Sequence, residues 1–383
     1  MKILIVVPDF PLNPENIKGG VNSALANLLK GFANFNISIR VITFNREISE
    51  IFIAEYSKNT HIYYFPEAKL PHVFNFAFKG GAILKAQIKE FNPLIVHYGM
   101  SGYILLTKLL GLRHTIQMVT IHGIPFLEAK QKKTFKEKLV FYTNGLVEML
   151  LCPKNIIHLS DYSQNQYGTK NSNFTLIPNA TNPEFLALPL KNIAQNKLLF
   201  VGSIETRKNI LFILRLLKAL TEKKIFFSLD VVGDFIDVLY KNEVLSFIKN
   251  NGLEKYIHFH GWKSQRELLG IMANADILFV ASKQETMPMA IAEAMSAGKV
   301  VVSAAVGGIP EMITDKEDGF LFHSFTIDAV LPILEQLYNN DAMVTKLGIK
   351  ARDTARATFH CTKVAQKTMG FYSSLHKNSS HLN

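Results

Sequence analysis

The chain contains 383 residues, of which 48% are hydrophobic and 19% are charged. This composition is typical of a globular protein and excludes an intrinsically disordered one. The length exceeds what one ordinary hydrophobic core accommodates, so we expect two domains. The two cysteines, Cys152 and Cys361, are far apart in the sequence and exclude a disulfide framework and a cysteine-based metal site. They fit a reducing compartment.

The formal net charge of +11 favours an anionic partner. Nucleic acid ranks last, because the sequence has no zinc-finger spacing, no RNA-binding aromatic motif and no basic recognition helix. Phosphorylated small molecules and anionic lipid surfaces rank ahead of it. The densest basic run, residues 130–138, predicts either a solvated helix face or a helix that rests on an anionic membrane. No apolar run reaches the length that crosses a bilayer, so we expect a cytoplasmic protein, with the inner face of the plasma membrane as a peripheral location.

Apolar runs rich in β-branched residues alternate with helical segments along the chain, which is typical of parallel sheets covered by helices on both faces. In chain order, the predicted strands of the first half are 3–7, 37–44, 61–65, 94–98, 116–121, 156–159 and 174–177. Those of the second half are 197–201, 226–232, 256–260, 275–280, 299–303 and 319–322. The segment from residue 331 onward has helical spacing and no further strand.

The strand pattern pauses at residues 178–196, which are rich in Pro and Asn and show no period. The pause predicts a first domain over residues 1–180, a linker over 181–196 and a second domain over 197–361. We predict that each domain is a doubly wound, Rossmann-like α/β domain and that the two face each other across a cleft.

Two loops of the first half carry candidate ligand-binding residues. Gly19 and Gly20 precede the helical segment 24–32, where glycine lets the backbone approach an anion, although a plain turn explains them as well. The spacing is neither GxGxxG nor that of a P-loop, so it does not support a dinucleotide site or a P-loop nucleotidase. His122 follows the strand at 116–121. A lone histidine is more often structural, but this one stands at the carboxyl end of a central strand, where open α/β sheets bind ligands.

Two loops of the second half add cations and glycines. Arg207 and Lys208 directly precede a helical segment, although cations are unfavourable at a helix N-terminus. A bound diphosphate would account for them, because arginine offers a fork and lysine a point charge; two solvent-exposed cations are the alternative. Gly307 and Gly308 follow the strand at 299–303 and predict either main-chain amides that line a ligand or a tight turn.

Two glutamates stand out further along the second half. Glu285 and Glu293 have seven residues between them, a strand at 277–280 comes before, and Pro288 starts a helix between the two. The segment is therefore a strand, a loop and a helix N-terminus, the place where an open α/β sheet binds its ligand. A buried core requires a glutamate at neither position, so both are candidate functional residues.

These features occur in the order found in a known family, and the chain resembles the GT-B-fold, retaining glycosyltransferases of the glycosyl transferases group 1 family (family 4 type). Residues 285–298 match its Glu-x7-Glu motif and the Ala-Met-x-Ala-Gly that ends it. The other matching pieces are Gly19-Gly20, His122, Ile177-Pro178-Asn179, Val201-Gly202, Arg207-Lys208-Asn209, Gly307-Gly308-Ile309-Pro310-Glu311 and Asp318-Gly319. The resemblance covers nearly the whole chain. It implies two Rossmann-like domains and a C-terminal helix, at about residues 362–383, that packs back on the first domain.

The resemblance implies transfer of a sugar from a UDP- or GDP-linked donor to an acceptor hydroxyl, with retained anomeric configuration and no required metal or other cofactor. The implied setting is synthesis of surface polysaccharide, lipopolysaccharide or glycolipid, with a glycan or lipid-linked acceptor. The residues implied to be catalytic are Glu285, His122 and Lys208, and those implied to bind the donor are Gly20, Gly202, Ser203, Arg207, Lys208, Thr286, Met287, Pro288 and Glu293.

By the same resemblance, Glu293 would hold the ribose hydroxyls, and Glu285 would contact the donor sugar or act near the reacting centre. Lys208 and Arg207 would neutralise the diphosphate leaving group. His122 would contact the donor sugar from the first domain, and Gly20 would let that domain close on the phosphates. Physical chemistry agrees with such roles, because fixed cations and helix N-termini stabilise a diphosphate without a metal, and one carboxylate accepts both donors of a ribose diol.

Three positions depart from the family pattern. Many relatives carry arginine where this chain has Ser203, so one phosphate contact is missing or is supplied by Arg207. The usual Pro-Asn-Gly-Val-Asp reads Pro-Asn-Ala-Thr-Asn at 178–182, and the usual Gly-x-Gly reads Gly-Asp-Phe at 233–235. Two alternatives stay open: a GT-B-fold nucleotide-sugar epimerase and a non-catalytic nucleotide-sugar-binding module.

Overall fold

The computed structural model describes residues 1–13, 16–67, 74–110, 115–131, 134–167, 172–190 and 195–380. They form two compact units. The first unit comprises Met1–Pro14, Val21–Ala180 and Cys361–Asn383, and the second comprises Glu15–Gly20 and Thr181–His360.

Each unit is built on one sheet. Within the described residues, the strands of the first unit are β1 (Lys2–Val6), β2 (Ser38–Asn45), β3 (Phe52–Ser57), β4 (Thr60–Pro66), β5 (Ile95–Tyr98), β6 (Ile116–Ile121), β7 (Asn155–His158) and β8 (Asn173–Leu176), in the order β3-β4-β2-β1-β5-β6-β7-β8. Those of the second unit are β9 (Lys197–Val201), β10 (Ser228–Val232), β11 (Ile257–Gly261), β12 (Ile277–Val280), β13 (Val300–Ala304) and β14 (Phe320–Phe322), in the order β11-β10-β9-β12-β13-β14. All neighbouring strands are parallel except β3 and β4.

Helices connect the strands. They are α1 (Gly20–Phe32), α2 (Gly81–Phe91), α3 (Pro125–Gln131), α4 (Phe135–Leu151), α5 (Asp161–Tyr167), α6 (Ile210–Glu222), α7 (Val238–Asn250), α8 (Gln265–Asn274), α9 (Met289–Ser296), α10 (Ile327–Leu337), α11 (Asp341–Thr358) and α12 (Cys361–Ser380). A π-helical turn at Asn75–Gly80 leads into α2, and short 3-10 helices lie at Tyr103–Leu110, Pro183–Phe185, Glu254–Tyr256 and Ile309–Glu311. The predicted pair of doubly wound α/β domains is confirmed.

Apolar residues on both faces of the strands explain why the strands could be predicted. In β9, Leu198 and Phe200 pack in one buried cluster with side chains of α6, α7 and α10, whereas Leu199 packs in another with side chains of α8, α9 and α11. Because successive side chains of a strand point to opposite faces, a sheet covered on both faces requires a continuous apolar run. Every predicted strand is present with ends that differ by no more than two residues.

The edge strand β3 was not predicted. It pairs antiparallel with β4 across the turn that joins them, and Phe52 and Ile53 are about half exposed. A strand at a sheet edge with one solvated face lacks the buried apolar run that marks the other strands.

Residues 181–196, predicted as a linker, instead begin the second unit in their described part. Phe185 is buried in the core cluster of that unit, and Thr181 donates its amide hydrogen to the carbonyl oxygen of Phe359 at 2.9 Å. The side chain of Asn182 donates to Gln265 Oε1 at 3.1 Å. A buried aromatic anchor therefore replaces the free connection suggested by the Pro- and Asn-rich composition. The second unit ends at His360, one residue before the predicted boundary.

Helix α12 returns to the first unit, as the resemblance implied. Its Tyr372 is fully buried, stacks on Phe32 of α1 with 6.2 Å between ring centroids, and shares a hydrogen bond of 2.7 Å with His97 Nδ1. At Gly31, α1 approaches α12 so closely that a Cβ atom would overlap the main-chain carbonyl of Cys361. The absence of a side chain at Gly31 thus sets the distance between the two helices.

We expect Gly31→Ala to lower the free energy of unfolding by about 1–3 kcal/mol, because the added methyl group meets backbone atoms that cannot rotate away. Urea unfolding followed by circular dichroism measures the change. The matched control is Gly370→Ala in α12, where nothing lies within 4 Å of the added atom. There alanine should raise stability by about 0.5–1 kcal/mol, as expected in a helix. Equal stability of wild type and Gly31→Ala would contradict the close approach.

Candidate functional site

The candidate site lies at the carboxyl ends of the strands of the second unit. Strands β9 and β12 are neighbours at the centre of its sheet, and the chain extends to β10 and β11 on one side and to β13 and β14 on the other. This reversal is the topological switch point at which open α/β sheets bind ligands. The loop after β9 carries Ser203, Arg207 and Lys208, and the loop after β12 carries Glu285. The structure brings the side chains of these two loops together.

A buried carboxylate joins the two loops. Glu285 Oε1 accepts hydrogen bonds from Lys208 Nζ at 2.6 Å and from Arg207 Nη1 at 3.2 Å. Burial would raise the pKa of Glu285, but the charges of Lys208 and Arg207 and the hydrogen bond from Lys208 outweigh it and hold the pKa below its usual value. Glu285 is therefore ionised at neutral pH, and it is bound to both cations that the sequence predicts as diphosphate ligands.

Hydrogen bonds from all three nitrogen atoms of the guanidinium group hold Arg207 in one orientation. Glu205 Oε1 accepts from Arg207 Nε at 3.1 Å and from Nη2 at 2.8 Å, and the carbonyl oxygen of Gln284 accepts from Nη1 at 3.0 Å. Ser203 Oγ donates to the same Glu205 oxygen at 3.4 Å. The serine that departs from the family pattern thus contacts the residue that orients Arg207. Glu205 was not predicted as a site residue; its signal in the sequence is a carboxylate two residues before an arginine.

Lys208 lies against the end of β9. The space in front of Gly202 is filled by the aliphatic stem of Lys208, whose Cε would be 3.5 Å from a Cβ atom at position 202. The ammonium group is consequently fixed between β9 and the Glu285 carboxylate, and only 16% of the lysine side chain is exposed. Gly202 therefore contributes to the site by leaving room for the Lys208 stem. Ser203 contributes through its hydrogen bond to Glu205.

Gly307 and Gly308 hold the main chain of Glu285. Gly307 has a φ angle of +60°, which favours glycine, and a Cβ atom there would overlap the carbonyl oxygen of Glu285. The amide of Gly308 donates to that same carbonyl oxygen at 3.3 Å. Of the two predicted alternatives, the structure shows a tight turn, and the Gly308 amide is used to position Glu285.

Glu293, the fifth residue of α9, differs from Glu285 in that its pKa is raised and not lowered. It is only 5% exposed, and burial raises its pKa to about 8, against a smaller opposing effect of the neighbouring Gln265 side chain. Gln265 Oε1 in turn accepts from Asn182. At neutral pH the ligand-free protein therefore holds Glu293 mainly in its neutral form, whereas Glu285 is charged.

The residues that enter α9 are mostly buried. Thr286 is 7% exposed, and Met287 is half-buried. Pro288 is the N-cap of α9 and, lacking an amide hydrogen, can donate no main-chain hydrogen bond to a ligand. Gly20 groups with the second unit, where its backbone lies next to Met289, the first residue of α9. No described contact tests the phosphate role of Gly20.

The first unit holds His122 directly after β6. Burial lowers the pKa of His122 to about 4, only partly opposed by a backbone hydrogen bond with Gly99, so the imidazole is neutral at pH 7. His97 on the neighbouring strand β5 is buried and bonded to Tyr372 and to Thr120 Oγ1, the latter at 2.8 Å. Burial, with a further effect of His122, lowers the pKa of His97 to about 3. The sequence analysis missed His97, a polar residue inside an apolar strand.

Solved structures with the same fold are glycosyltransferases of the GT-B type. Sucrose-phosphate synthase from Thermosynechococcus elongatus matches with a TM-score of 0.81 and 18% identity over 98% of this chain and 99% of that one. Anabaena HepE, solved in complex with UDP, matches with a TM-score of 0.74 and 18% identity over 98% of this chain and 100% of that one. At this identity the likeness shows the fold, which is GT-B.

Sequence comparison finds a family match over part of the chain. Residues 185–354, which lie in the second unit, match the family Glycosyl transferases group 1. An uncharacterized glycosyltransferase of Methanocaldococcus jannaschii is 25% identical over 346 residues, 88% of this chain and 90% of that protein. D-inositol 3-phosphate glycosyltransferase of Corynebacterium aurimucosum is 35% identical over 105 residues, which is 27% of this chain and only 25% of that protein's length.

The raised pKa of Glu293 gives the stability a defined pH dependence. Between the ordinary glutamate pKa of 4.5 and the folded-state pKa of about 8, the folded protein binds a proton that the unfolded chain has lost, so the free energy of unfolding falls as pH rises through this window. We expect Glu293→Gln to remove this fall and to be the more stable protein at pH 8, by up to several kcal/mol at about 1.4 kcal/mol per pKa unit.

Urea unfolding at pH 5, 6, 7 and 8 measures the difference between the two proteins. The control is Glu254→Gln, an exposed glutamate with no comparable burial, which should leave the pH profile of the wild type unchanged. Parallel profiles of wild type and Glu293→Gln would show that Glu293 is ionised in the folded protein.

Proposed function

We propose that this protein is a retaining glycosyltransferase of the family 4 type, which transfers a sugar from a nucleotide-sugar to an acceptor hydroxyl. The observation that carries the proposal is the cluster of Arg207, Lys208 and Glu285 at the switch point of the second unit. Breaking the bond between sugar and nucleotide places negative charge on the diphosphate, and prepositioned cations stabilise such charge without reorganisation. The cluster offers two cations whose positions are fixed before any ligand binds.

The two glutamates receive different roles in this proposal. Glu293 binds the ribose hydroxyls, for which it loses its proton when the nucleotide arrives, since a carboxylate accepts both hydroxyl donors. Glu285 contacts the donor sugar near the reacting centre and keeps Lys208 and Arg207 in place. A carboxylate bonded to two cations is a poor nucleophile, so no glycosyl-enzyme intermediate of the kind used by retaining glycosidases is proposed. The role of His122 as a sugar contact stays a prediction.

We propose a chemical class for the sugar donor and one for the acceptor. HepE binds UDP, and an amylovoran biosynthesis glycosyltransferase of Erwinia amylovora is 25% identical over 73% of this chain, which supports a UDP- or GDP-linked donor and an acceptor in surface polysaccharide or glycolipid synthesis. We propose that no metal ion is required, because Arg207 and Lys208 supply the charge that a divalent cation supplies elsewhere.

The test begins with a thermal-shift screen against UDP, GDP, ADP and their sugars, since a ligand that binds only the folded protein raises its melting temperature. The donor found is then assayed for acceptor-dependent nucleotide release with and without EDTA, and the anomeric configuration of the product is read by NMR. Release without any acceptor would favour an epimerase, and binding without turnover on a broad acceptor panel would favour a non-catalytic binding module. An inverted product would contradict retention, and loss of turnover in EDTA would contradict the metal-free reaction.

We expect Lys208→Met to lower turnover by about 100-fold or more, the usual effect of removing one prepositioned electrostatic contact from a transition state. The matched control is Lys218→Met on the exposed face of α6, whose ammonium pairs with Glu222 at 3.6 Å and should leave turnover unchanged. Because Lys208→Met also leaves a buried carboxylate with one partner fewer, the melting temperature of the ligand-free variant is measured alongside. Normal turnover in a folded Lys208→Met protein would exclude Lys208 from the reaction.

A further inference from the structure

Helix α4 of the first unit exposes a continuous apolar stripe. Its members recur every three or four residues, the spacing that places side chains on one face of a helix, and their exposed fractions run from 42% to 81%. They are Phe135, Leu139, Tyr142, Leu146, Met149 and Leu150. Large apolar side chains exposed singly are ordinary, but an aligned row of this kind marks an interaction surface.

The stripe belongs to the outer face of a well-formed helix. Of the two buried residues of α4, Glu148 lies on the side opposite the stripe, and Gly145 lies beside the stripe against the ring of Phe126. Phe126 of α3 extends the apolar surface, since its ring centroid lies 6.1 Å from that of Tyr142. With 17 residues the helix is about 25 Å long, so the stripe offers an elongated apolar surface.

Cations border the stripe at its N-terminal end. By helical geometry, Lys136 and Lys138 lie on its two opposite flanks, and Lys130 is exposed on the neighbouring helix α3. The acids of α4 are directed elsewhere: Glu148 is buried, and Glu137 points away from the stripe and closes a capping box with Thr134. The exposed surface of the helix is therefore apolar at its centre and basic at its borders.

We propose that the outer face of α4 docks on an anionic lipid bilayer, with the apolar stripe at the boundary of headgroups and acyl chains and the lysines among the phosphates. An amphipathic helix that combines large apolar side chains with flanking lysines lies in the plane of a membrane surface. Nowhere in the described part of the chain does a helix have the length and apolarity to span a bilayer. The sequence predicted a membrane contact from the basic run at 130–138 alone. Lys132 and Lys133 of that run lie outside the described residues. The apolar stripe is an observation that the structure adds.

Charge favours a lipid surface over a second copy of the chain. If two copies paired through this stripe, each would present the other with the same apolar row and the same cations. Neither of the two acids of α4, all of which the structure describes, lies on that face to neutralise the lysines. Anionic headgroups supply that neutralisation, at about 1 kcal/mol for each lysine close to the surface. A lipid bilayer therefore satisfies both the apolar centre and the basic borders.

The experiment is co-sedimentation of the whole chain with phosphatidylcholine vesicles and with equimolar phosphatidylcholine and phosphatidylglycerol vesicles. We expect binding to the anionic vesicles only, and weaker binding as salt is added. Leu139→Ser combined with Leu146→Ser should weaken binding by about tenfold or more, because two apolar side chains no longer enter the membrane. The matched control is Val238→Ser combined with Leu239→Ser, two residues of the second unit that are even more exposed and should not matter.

The charge requirement is tested separately. Lys136→Gln and Lys138→Gln should each weaken binding by about fivefold at low salt, whereas Lys249→Gln and Lys255→Gln on the second unit should leave it unchanged. Equal binding to neutral and anionic vesicles, or binding that ignores the two leucines, would overturn the proposal. So would a dimer in sedimentation velocity that Leu139→Ser and Leu146→Ser convert to a monomer, because the stripe would then serve a second copy. None of these measurements uses a nucleotide, so their outcome is independent of the proposed reaction.

Discussion

The second unit depends on one buried charge. The Glu285 carboxylate is removed from water, and a buried carboxylate is tolerated only where partners compensate for its lost hydration. Lys208 and Arg207 provide that compensation from the other loop, and the amide of Lys283 reinforces it by donating to the carbonyl oxygen of Arg207 at 2.8 Å. The ends of β9 and β12 are thereby fixed relative to each other. The left-handed conformation of Gly307, which admits the Glu285 main chain, follows from the same constraint.

Two glutamates of one short motif differ in charge because their partners differ. Glu285 faces two cations and stays ionised, whereas Glu293 faces the neutral amide of Gln265 and takes up a proton. Their spacing in the sequence does not show this difference in charge. The cations that decide the state of Glu285 are about 80 residues away in the sequence.

The sequence predicts those parts of the protein that burial controls. Strands covered on both faces appear as apolar runs, so among the strands that the structure describes only β3, with its solvated edge, was not predicted. The sequence does not predict contacts between side chains that are distant in the chain or lie within a loop. The orientation of Arg207 by Glu205 depends on the conformation of a loop. The partner of His97, Tyr372, lies on α12, 275 residues further along the chain. The exposed stripe on α4 could not be predicted from the sequence. Apolar residues at helical spacing indicate one apolar face of a helix, but they do not show whether that face is buried or exposed.

The charges of the site also explain why the surplus charge of the chain lies elsewhere. Arg207 and Lys208 form ion pairs with Glu205 and Glu285. These pairs offset the repulsion between the two neighbouring cations and hold both in place. The formal net charge of +11 therefore does not originate in this group. A positive surplus outside the site acts over longer distances on anionic surfaces, and the lysines that border the apolar stripe of α4 contribute to it at a place where the fold also presents apolar side chains.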